Sequence, residues 1–211
     1  MKLPIALFTL VFLSLAAIPA LADYENGPIN GNVDAWTINF GYVVSDTFVP
    51  NFSTVGSFEF GVWEYPGDTM TSVDWSITTA ENGGMTIGSG SAGGAQLTDQ
   101  FISVNMYGFN IDRIAVTGLS VNVTSGSTYW LNLQNAVVAS GDPVYWDENS
   151  GVGCMSPGCP SLASESAVGT IASEAMTVRP LGSGTTPEPG TILLFGTGML
   201  GVIGLLRRKL G

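Results

Sequence analysis

Histidine is absent from this 211-residue chain, and only six lysines and arginines stand against 17 aspartates and glutamates. Without an imidazole, a Ser-His-Asp or Cys-His arrangement has no base to take the proton from its nucleophile. The shortage of positive charge also makes nucleic acid a poor partner, because its phosphates attract basic surfaces. The composition therefore excludes two classes of function: hydrolysis with a histidine base, and nucleic-acid binding.

A sustained helical period is also missing between the two ends of the chain, and strand-like alternation takes its place. In the ranges 58–62, 73–78 and 129–134, apolar side chains recur at every second residue. Turn signals rich in glycine, asparagine and proline separate such segments, and the glycine-rich range 89–94 is interpreted as a loop. About nine short strands at this spacing predict an all-β domain, an antiparallel β-sandwich or jelly roll.

The first of two long apolar runs lies at the start of the chain and has the features of a signal peptide. Lys2 precedes a mostly apolar stretch, and Ala20 and Ala22 form a small-x-small cleavage site. We therefore predict a signal peptide over residues 1–22, with Asp23 as the first residue of the mature, exported protein.

The predicted exported domain, residues 23–181, is strongly acidic and is followed by a flexible linker at 182–186. Of the basic residues only Arg113 and Arg179 fall within the domain, against 16 acidic residues. A surface of this charge suits solubility, association with cations or an extracellular matrix.

The second apolar run covers residues 190–206 and carries no charge. As a helix it would be about 26 Å long, close to the lower limit for crossing a hydrocarbon core of about 30 Å. It is followed by Arg207, Arg208 and Lys209. Because basic clusters of this kind stay cytoplasmic, we predict a single transmembrane helix with the bulk of the chain on the outer side.

A short proline-rich motif, Pro187, Glu188 and Pro189, directly precedes this span. The motif, the span and the basic end, residues 187–211, together resemble the PEP-CTERM sorting signal of Gram-negative bacteria. The resemblance implies that an exosortase, a membrane-bound processing enzyme, recognises the motif and removes the anchor. It implies an exported protein that is first held in the membrane and then reaches the cell surface or extracellular matrix. The alternative is a permanent anchor that is never cut.

The chain has only two cysteines, Cys154 and Cys159, separated by Met-Ser-Pro-Gly. A zinc site of the usual kind would need two more histidine or cysteine ligands, and a thioredoxin-type pair has two intervening residues rather than four. A Ser-Pro-Gly turn can fold the chain back so that the two sulfurs approach each other, and export favours oxidation. We therefore predict a disulfide that closes a short loop.

One segment of the exported domain combines adjacent aromatic residues with acids and an amide: Tyr145, Trp146, Asp147 and Asn149. Aromatic platforms beside Asp and Asn hold sugars, so we predict a ligand-contacting loop here. The alternative is that the two aromatic side chains cover the core edge while the acids are solvated. Calcium prefers such oxygen ligands, but the spacing matches no EF-hand. We predict no metal ligands and no cofactor, with calcium as the weaker alternative.

The predicted function is structural or adhesive, with contact to extracellular polysaccharide. The alternative is a glycan-active enzyme that uses two carboxylates. Acid–aromatic neighbours are expected by chance in this composition, and adjacent residues of a strand face opposite sides of a sheet. We therefore predict no catalytic residues and no enzymatic activity.

Overall fold

The computed structural model describes residues 22–149 and 163–182, all of which belong to the unit Leu21–Gly182. In this part of the chain, two antiparallel sheets account for every strand, and a 3-10 turn at Gly94–Gln96 is the helical element. The strands are β1 (Tyr24–Glu25), β2 (Ala35–Thr37), β3 (Val43–Phe48), β4 (Thr54–Glu64), β5 (Met70–Ala80), β6 (Gly83–Gly93), β7 (Leu97–Val104), β8 (Asn110–Val116), β9 (Val121–Asn122), β10 (Tyr129–Val138), β11 (Tyr145–Asp147), β12 (Ala163–Glu165), β13 (Gly169–Ile171) and β14 (Met176–Pro180). The prediction of an all-β fold is confirmed, whereas the jelly-roll connectivity stays a prediction.

The two sheets are connected directly where β4 ends. The first sheet has the order β1-β14-β4-β11-β2, with β8 and β9 also paired to β4 and β7 paired to β8. The second sheet has the order β13-β12-β3-β10-β5-β6. A turn at Pro66 and Gly67 joins β4 of the first sheet to β5 of the second. The last residue of β4 therefore lies close to this crossing between the sheets.

Alternation along β4 determines which side chains enter the core between the sheets. Phe58, Phe60 and Val62 are fully buried, and the ring centroid of Phe58 is 5.9 Å from that of Trp75 on β5. Burying side chains of this size stabilises the fold by about 1.5–3 kcal/mol each. The same period of two places Glu64, two residues after Val62, on the core side of the sheet.

The glycine-rich range 89–94, predicted as a loop, lies in β6 and at the start of the 3-10 turn that follows. A β-carbon on Gly88 would lie 2.8 Å from the side chain of Val121, and one on Gly90 would lie 3.2 Å from the Trp75 ring. The loop prediction is wrong. Gly88 and Gly90 lack side chains and so leave room for Val121 and Trp75, while the strand stays paired with β5.

The described residues contain fourteen strands rather than about nine. Several of the additional strands lack the alternation from which strands were predicted. For example, β3 is buried at five consecutive positions, Val44 to Phe48. A strand that is covered on both faces shows no period of two in its hydrophobicity.

Several predicted features lie outside the described residues. These are the disulfide of Cys154 and Cys159, the tail at 187–211, and most of the signal peptide and linker. Among the residues that the structure describes, no helix is both long and apolar enough to span a bilayer.

Candidate functional site

The segment predicted to be a ligand loop is a strand of the first sheet. Tyr145, Trp146 and Asp147 form β11, which pairs with β2 on one side and β4 on the other. Trp146 has no exposed surface, donates from Nε1 to the carbonyl of Ala175 at 3.0 Å, and packs edge-on against Phe60 at 5.9 Å. The prediction of a solvent-facing loop with Trp146 as a stacking platform is therefore wrong. Trp146 is paired with Val62, which faces the core, and directly paired residues share a face, so the indole enters the core.

Asp147 and Asn149, both fully buried, serve the fold rather than an open surface. The Asp147 carboxylate accepts hydrogen bonds from Trp63 Nε1 at 2.7 Å and from the backbone N–H groups of Asn30 at 2.9 Å and Gly31 at 3.0 Å. Burial raises the pKa of Asp147, and these three donors act in the opposite direction. The carboxylate thus anchors the chain around residue 30 against the sheet.

Tyr145 alone of the predicted group reaches an exposed region, which we name the aromatic surface. Its ring lies 5.8 Å from that of Phe109, which in turn lies 4.9 Å from Tyr65. Trp63 stacks on Tyr107 at 5.7 Å. Tyr107 is 58% exposed and Tyr65 is 40% exposed. The aromatic surface comprises these five residues and lies on the outer face of the first sheet, where β4, β11 and the turn between β7 and β8 meet.

Three acidic residues converge on the inner face of the same sheet end. We name Glu64, Asp99 and Asp112 the carboxylate cluster; one carboxylate oxygen from each lies within 4.8 Å of those of the other two. Asp112 on β8 is paired with Val62, and Asp99 on β7 is paired with Ile114. Because directly paired residues share a face, both acids are on the core side, as Glu64 is.

Glu64 and Asp112 of the carboxylate cluster are buried, Asp99 is half-buried, and the cluster has few hydrogen-bond donors. Glu64 has no exposed surface and Asp112 is 3% exposed. Neither oxygen of Glu64 has a hydrogen-bond partner, and Oδ2 of Asp112 has none. Asp99 accepts one bond, from the backbone N–H of Met70 at 2.7 Å. Burying a carboxylate without donors or a counter-charge is costly, by several kcal/mol for each ion.

Burial raises the pKa values of all three groups, and repulsion between the acids raises those of Glu64 and Asp112 further. Burial, followed by the charges of Asp99, Asp112 and Asp68, raises the pKa of Glu64 to about 8. Burial and then the charge of Asp99 raise the pKa of Asp112 to about 6. Burial also raises the pKa of Asp99, although the bond from Met70 lowers it. The cluster therefore resists carrying three negative charges by itself.

The arginines of the exported domain do not neutralise this cluster. Arg179 pairs with Glu59 at 2.6 Å and with Asp23 at 3.0 Å, and the Arg113 guanidinium lies 3.9 Å from Glu59. A proton or a bound cation can balance the charge instead. Three carboxylates that offer only oxygen suit a hard cation, Ca²⁺ or Mg²⁺.

The acids of the cluster were not singled out from the sequence, although a signal was present. Phe58, Phe60 and Val62 alternate as core residues, and Glu64 continues the same period. An acid at a core-facing position indicates either a hydrogen-bonded carboxylate or a ligand.

Comparison with known proteins concerns the other end of the chain. Residues 185–209 match the family model of the PEP-CTERM protein-sorting motif, which confirms the resemblance carried by Pro187, Glu188 and Pro189. Comparison with curated proteins found no match for this chain. The motif implies export and a membrane-associated C-terminal sorting signal. This chain therefore carries a PEP-CTERM protein-sorting motif at residues 185–209, which supports an exported protein that an exosortase processes.

Proposed function

We propose that this protein is a structural or adhesive component of the surface or extracellular matrix of a Gram-negative bacterium. It contacts polysaccharide through the aromatic surface and has no enzymatic activity. The observation that carries the proposal is the group of exposed rings around Tyr65 and Tyr107 on an exported domain.

The chemistry of the aromatic surface suits a sugar. Aromatic rings offer apolar faces to sugar C–H groups, and phenolic hydroxyls offer hydrogen bonds at the ring edge. Tyr65 and Tyr145 both pack against the Phe109 ring, and burial, followed by the neighbouring Tyr65 phenol and the charge of Asp142, raises the pKa of the Tyr145 phenol. Rings held in this way lose little conformational entropy when a ligand binds.

Further apolar side chains are exposed along β7 and in the turn after it. Phe101, Val104 and Met106 are each more than half exposed. Met106 directly precedes Tyr107 of the aromatic surface in the chain, and exposed apolar side chains beside exposed rings support an adhesive role.

Burial of the carboxylate cluster supports a protein without catalysis. Glycosidases place two carboxyl groups on either side of the bond they cleave. Glu64 has no exposed surface, so a glycosidic bond cannot reach it.

Sorting follows the order of the sequence features. The signal peptide is cleaved before Asp23, the helix at 190–206 holds the protein in the membrane, and cleavage near Glu188 releases it. The pair Cys154 and Cys159 is oxidised outside the cytoplasm.

A polysaccharide array tests the proposal with wild-type protein, Tyr107→Ala and the control Tyr42→Ala. Tyr42 is 42% exposed but lies outside the aromatic surface. We expect Tyr107→Ala to weaken binding by about three- to tenfold, since aromatic contacts contribute about 0.5–1.5 kcal/mol, and Tyr42→Ala to bind as wild type. Equal binding by all three proteins contradicts the proposed surface, and release of reducing ends contradicts the absence of activity.

A further inference from the structure

We infer that the carboxylate cluster is a calcium site, in which Glu64, Asp99 and Asp112 hold one Ca²⁺ ion between the two sheets. This site is independent of polysaccharide contact at the aromatic surface.

The spacing of the three carboxylates fits a shared ion. Calcium binds oxygen ligands at about 2.3–2.6 Å, so two ligands of one ion are separated by at most about 5 Å. Oxygen atoms of Glu64, Asp99 and Asp112 lie within 4.8 Å of one another. A single ion placed among them can therefore contact all three residues.

Glu64 supplies an independent observation. Its side chain has no exposed surface, and neither carboxylate oxygen accepts a hydrogen bond. Buried carboxylates elsewhere in proteins are hydrogen-bonded, paired or metal-bound. Both oxygens of Glu64 are thus left for a ligand, and one of them is among the converging atoms. Oδ2 of Asp112, which is also buried and without a donor, adds a third such oxygen.

No described basic side chain competes for these oxygens. The only two in residues 22–149 and 163–182, Arg113 and Arg179, pair with Glu59 or Asp23. The missing counter-charge must therefore come from solution, and an exported protein meets calcium there. Extracellular calcium modules bind with dissociation constants of about 10⁻⁴–10⁻³ M.

The burial of the cluster favours calcium over magnesium. Magnesium demands near-octahedral geometry at about 2.0–2.1 Å and keeps several waters, whereas calcium accepts cages of protein oxygens, including bidentate carboxylates. Glu64 is fully buried with both oxygens available, which suits bidentate ligation.

The ion would join β4 to the β7–β8 hairpin of the first sheet, and Asp99 would link it to the second sheet. Glu64 ends β4, Asp112 and Asp99 lie on the β7–β8 hairpin, and Asp99 also accepts from Met70 at the start of β5. Calcium would hold the β7–β8 hairpin against the end of β4. The ion would stabilise the fold and would take no part in a reaction.

Thermal unfolding of the purified full-length chain tests this site, with excess chelator, Mg²⁺ or Ca²⁺. We expect Ca²⁺ at about 100 times its dissociation constant to raise Tm by about 5–10 °C over chelator, with a smaller shift for Mg²⁺. Glu64→Gln should lose the calcium shift. The matched control is Glu174→Gln, because Glu174 is equally buried but lies outside the carboxylate cluster; it should keep the shift.

Isothermal titration with calcium chloride gives a readout that does not depend on unfolding. We expect one ion per chain for wild type and Glu174→Gln, and at least tenfold weaker binding for Asp112→Asn, which serves if Glu64→Gln does not fold. Absence of both heat and Tm shift in wild type overturns the inference, since protons then balance the cluster. A shift lost in Glu174→Gln but kept in Glu64→Gln overturns it too, because the ion then lies elsewhere.

Discussion

The end of β4 has a buried carboxylate on each of its two faces, and the fold accommodates them differently. On the outer face, Asp147 accepts from Trp63 at 2.7 Å and from two backbone N–H groups. On the inner face, Glu64 accepts no hydrogen bond, and its carboxylate lies close to those of Asp99 and Asp112. Both carboxylates are fully buried, so exposure does not distinguish them.

Burial alone therefore does not identify a functional carboxylate. Asp147 has the donors that a buried acceptor needs, and its role is to hold the chain around Gly31. Glu64 has no such donors, and its neighbours are two further acids, Asp99 and Asp112. What separates a structural acid from a candidate ligand is therefore the supply of protein donors around it.

The largest expected effect comes from the outer face. Asp147→Ala would leave the indole N–H of Trp63 and the backbone N–H groups of Asn30 and Gly31 without their acceptor. Because each buried unsatisfied donor costs about 1–3 kcal/mol, we expect a loss of about 3–5 kcal/mol in the free energy of unfolding. Urea denaturation measures it, with the exposed Glu81→Ala as control. A loss below about 1 kcal/mol, or one that calcium restores, would contradict the structural role.

On the inner face, replacing the carboxylate should instead stabilise the protein when calcium is absent. In chelator at pH 7, we expect Glu64→Gln to be more stable than wild type by about 1–3 kcal/mol. Folding of the wild type must protonate Glu64, whose pKa is about 8 in the folded state, whereas the amide is neutral in both states and can donate to Asp99 or Asp112. In saturating calcium the order should reverse. Paired urea titrations in chelator and in calcium measure both values. A variant that is less stable in chelator would show that wild-type Glu64 has adequate partners.

A third buried acid, Glu174, is expected to make the stability of the protein depend on pH. Burial raises its pKa well above 4.5, and the acids that face it, Asp46, Glu148, Asp147 and Asp34, raise it further. The folded state then holds a proton that the unfolded state loses, so the stability contributed by this group is full below about pH 4.5 and declines as pH rises towards the folded pKa.

Glu174→Gln should remove this decline. We expect the slope of unfolding free energy against pH above 4.5 to become less negative by up to about 1.4 kcal/mol per pH unit. Urea titrations between pH 5 and pH 8, in chelator throughout, measure the slope. Identical slopes for wild type and variant would mean that Glu174 is ionised in the folded protein.

The smallest effect on the free energy of unfolding is expected from a change in the sorting motif. Glu188→Ala changes a residue outside both faces, so the free energy of unfolding should stay within about 0.5 kcal/mol of wild type. Release from the membrane should slow, because the exosortase motif is altered. Intact mass of the surface-associated protein measures processing: the wild-type protein should lack Arg207 to Lys209. A wild-type protein that still carries these residues would indicate a permanent anchor.

Some properties of this protein are determined by local sequence. The sorting motif is contiguous, so Pro187, Glu188 and Pro189 identify it without any structure. Alternation in β4 and β5 predicted strands, because a side-chain period of two is a property of the strand itself. The absence of a helical period between the ends likewise predicted an all-β fold.

Other properties were decided only by the tertiary structure. The period of two assigns a residue to a face but does not say which strand will cover that face. Trp146 was predicted on a loop, but its segment pairs with β2 and β4 as a strand, and its register with Val62 places the indole on the core face. Glu64, Asp99 and Asp112 are distant in the chain, and pairing of β8 with both β4 and β7 brings them together. Contacts between strands far apart in sequence depend on the whole sheet order, which no local pattern encodes.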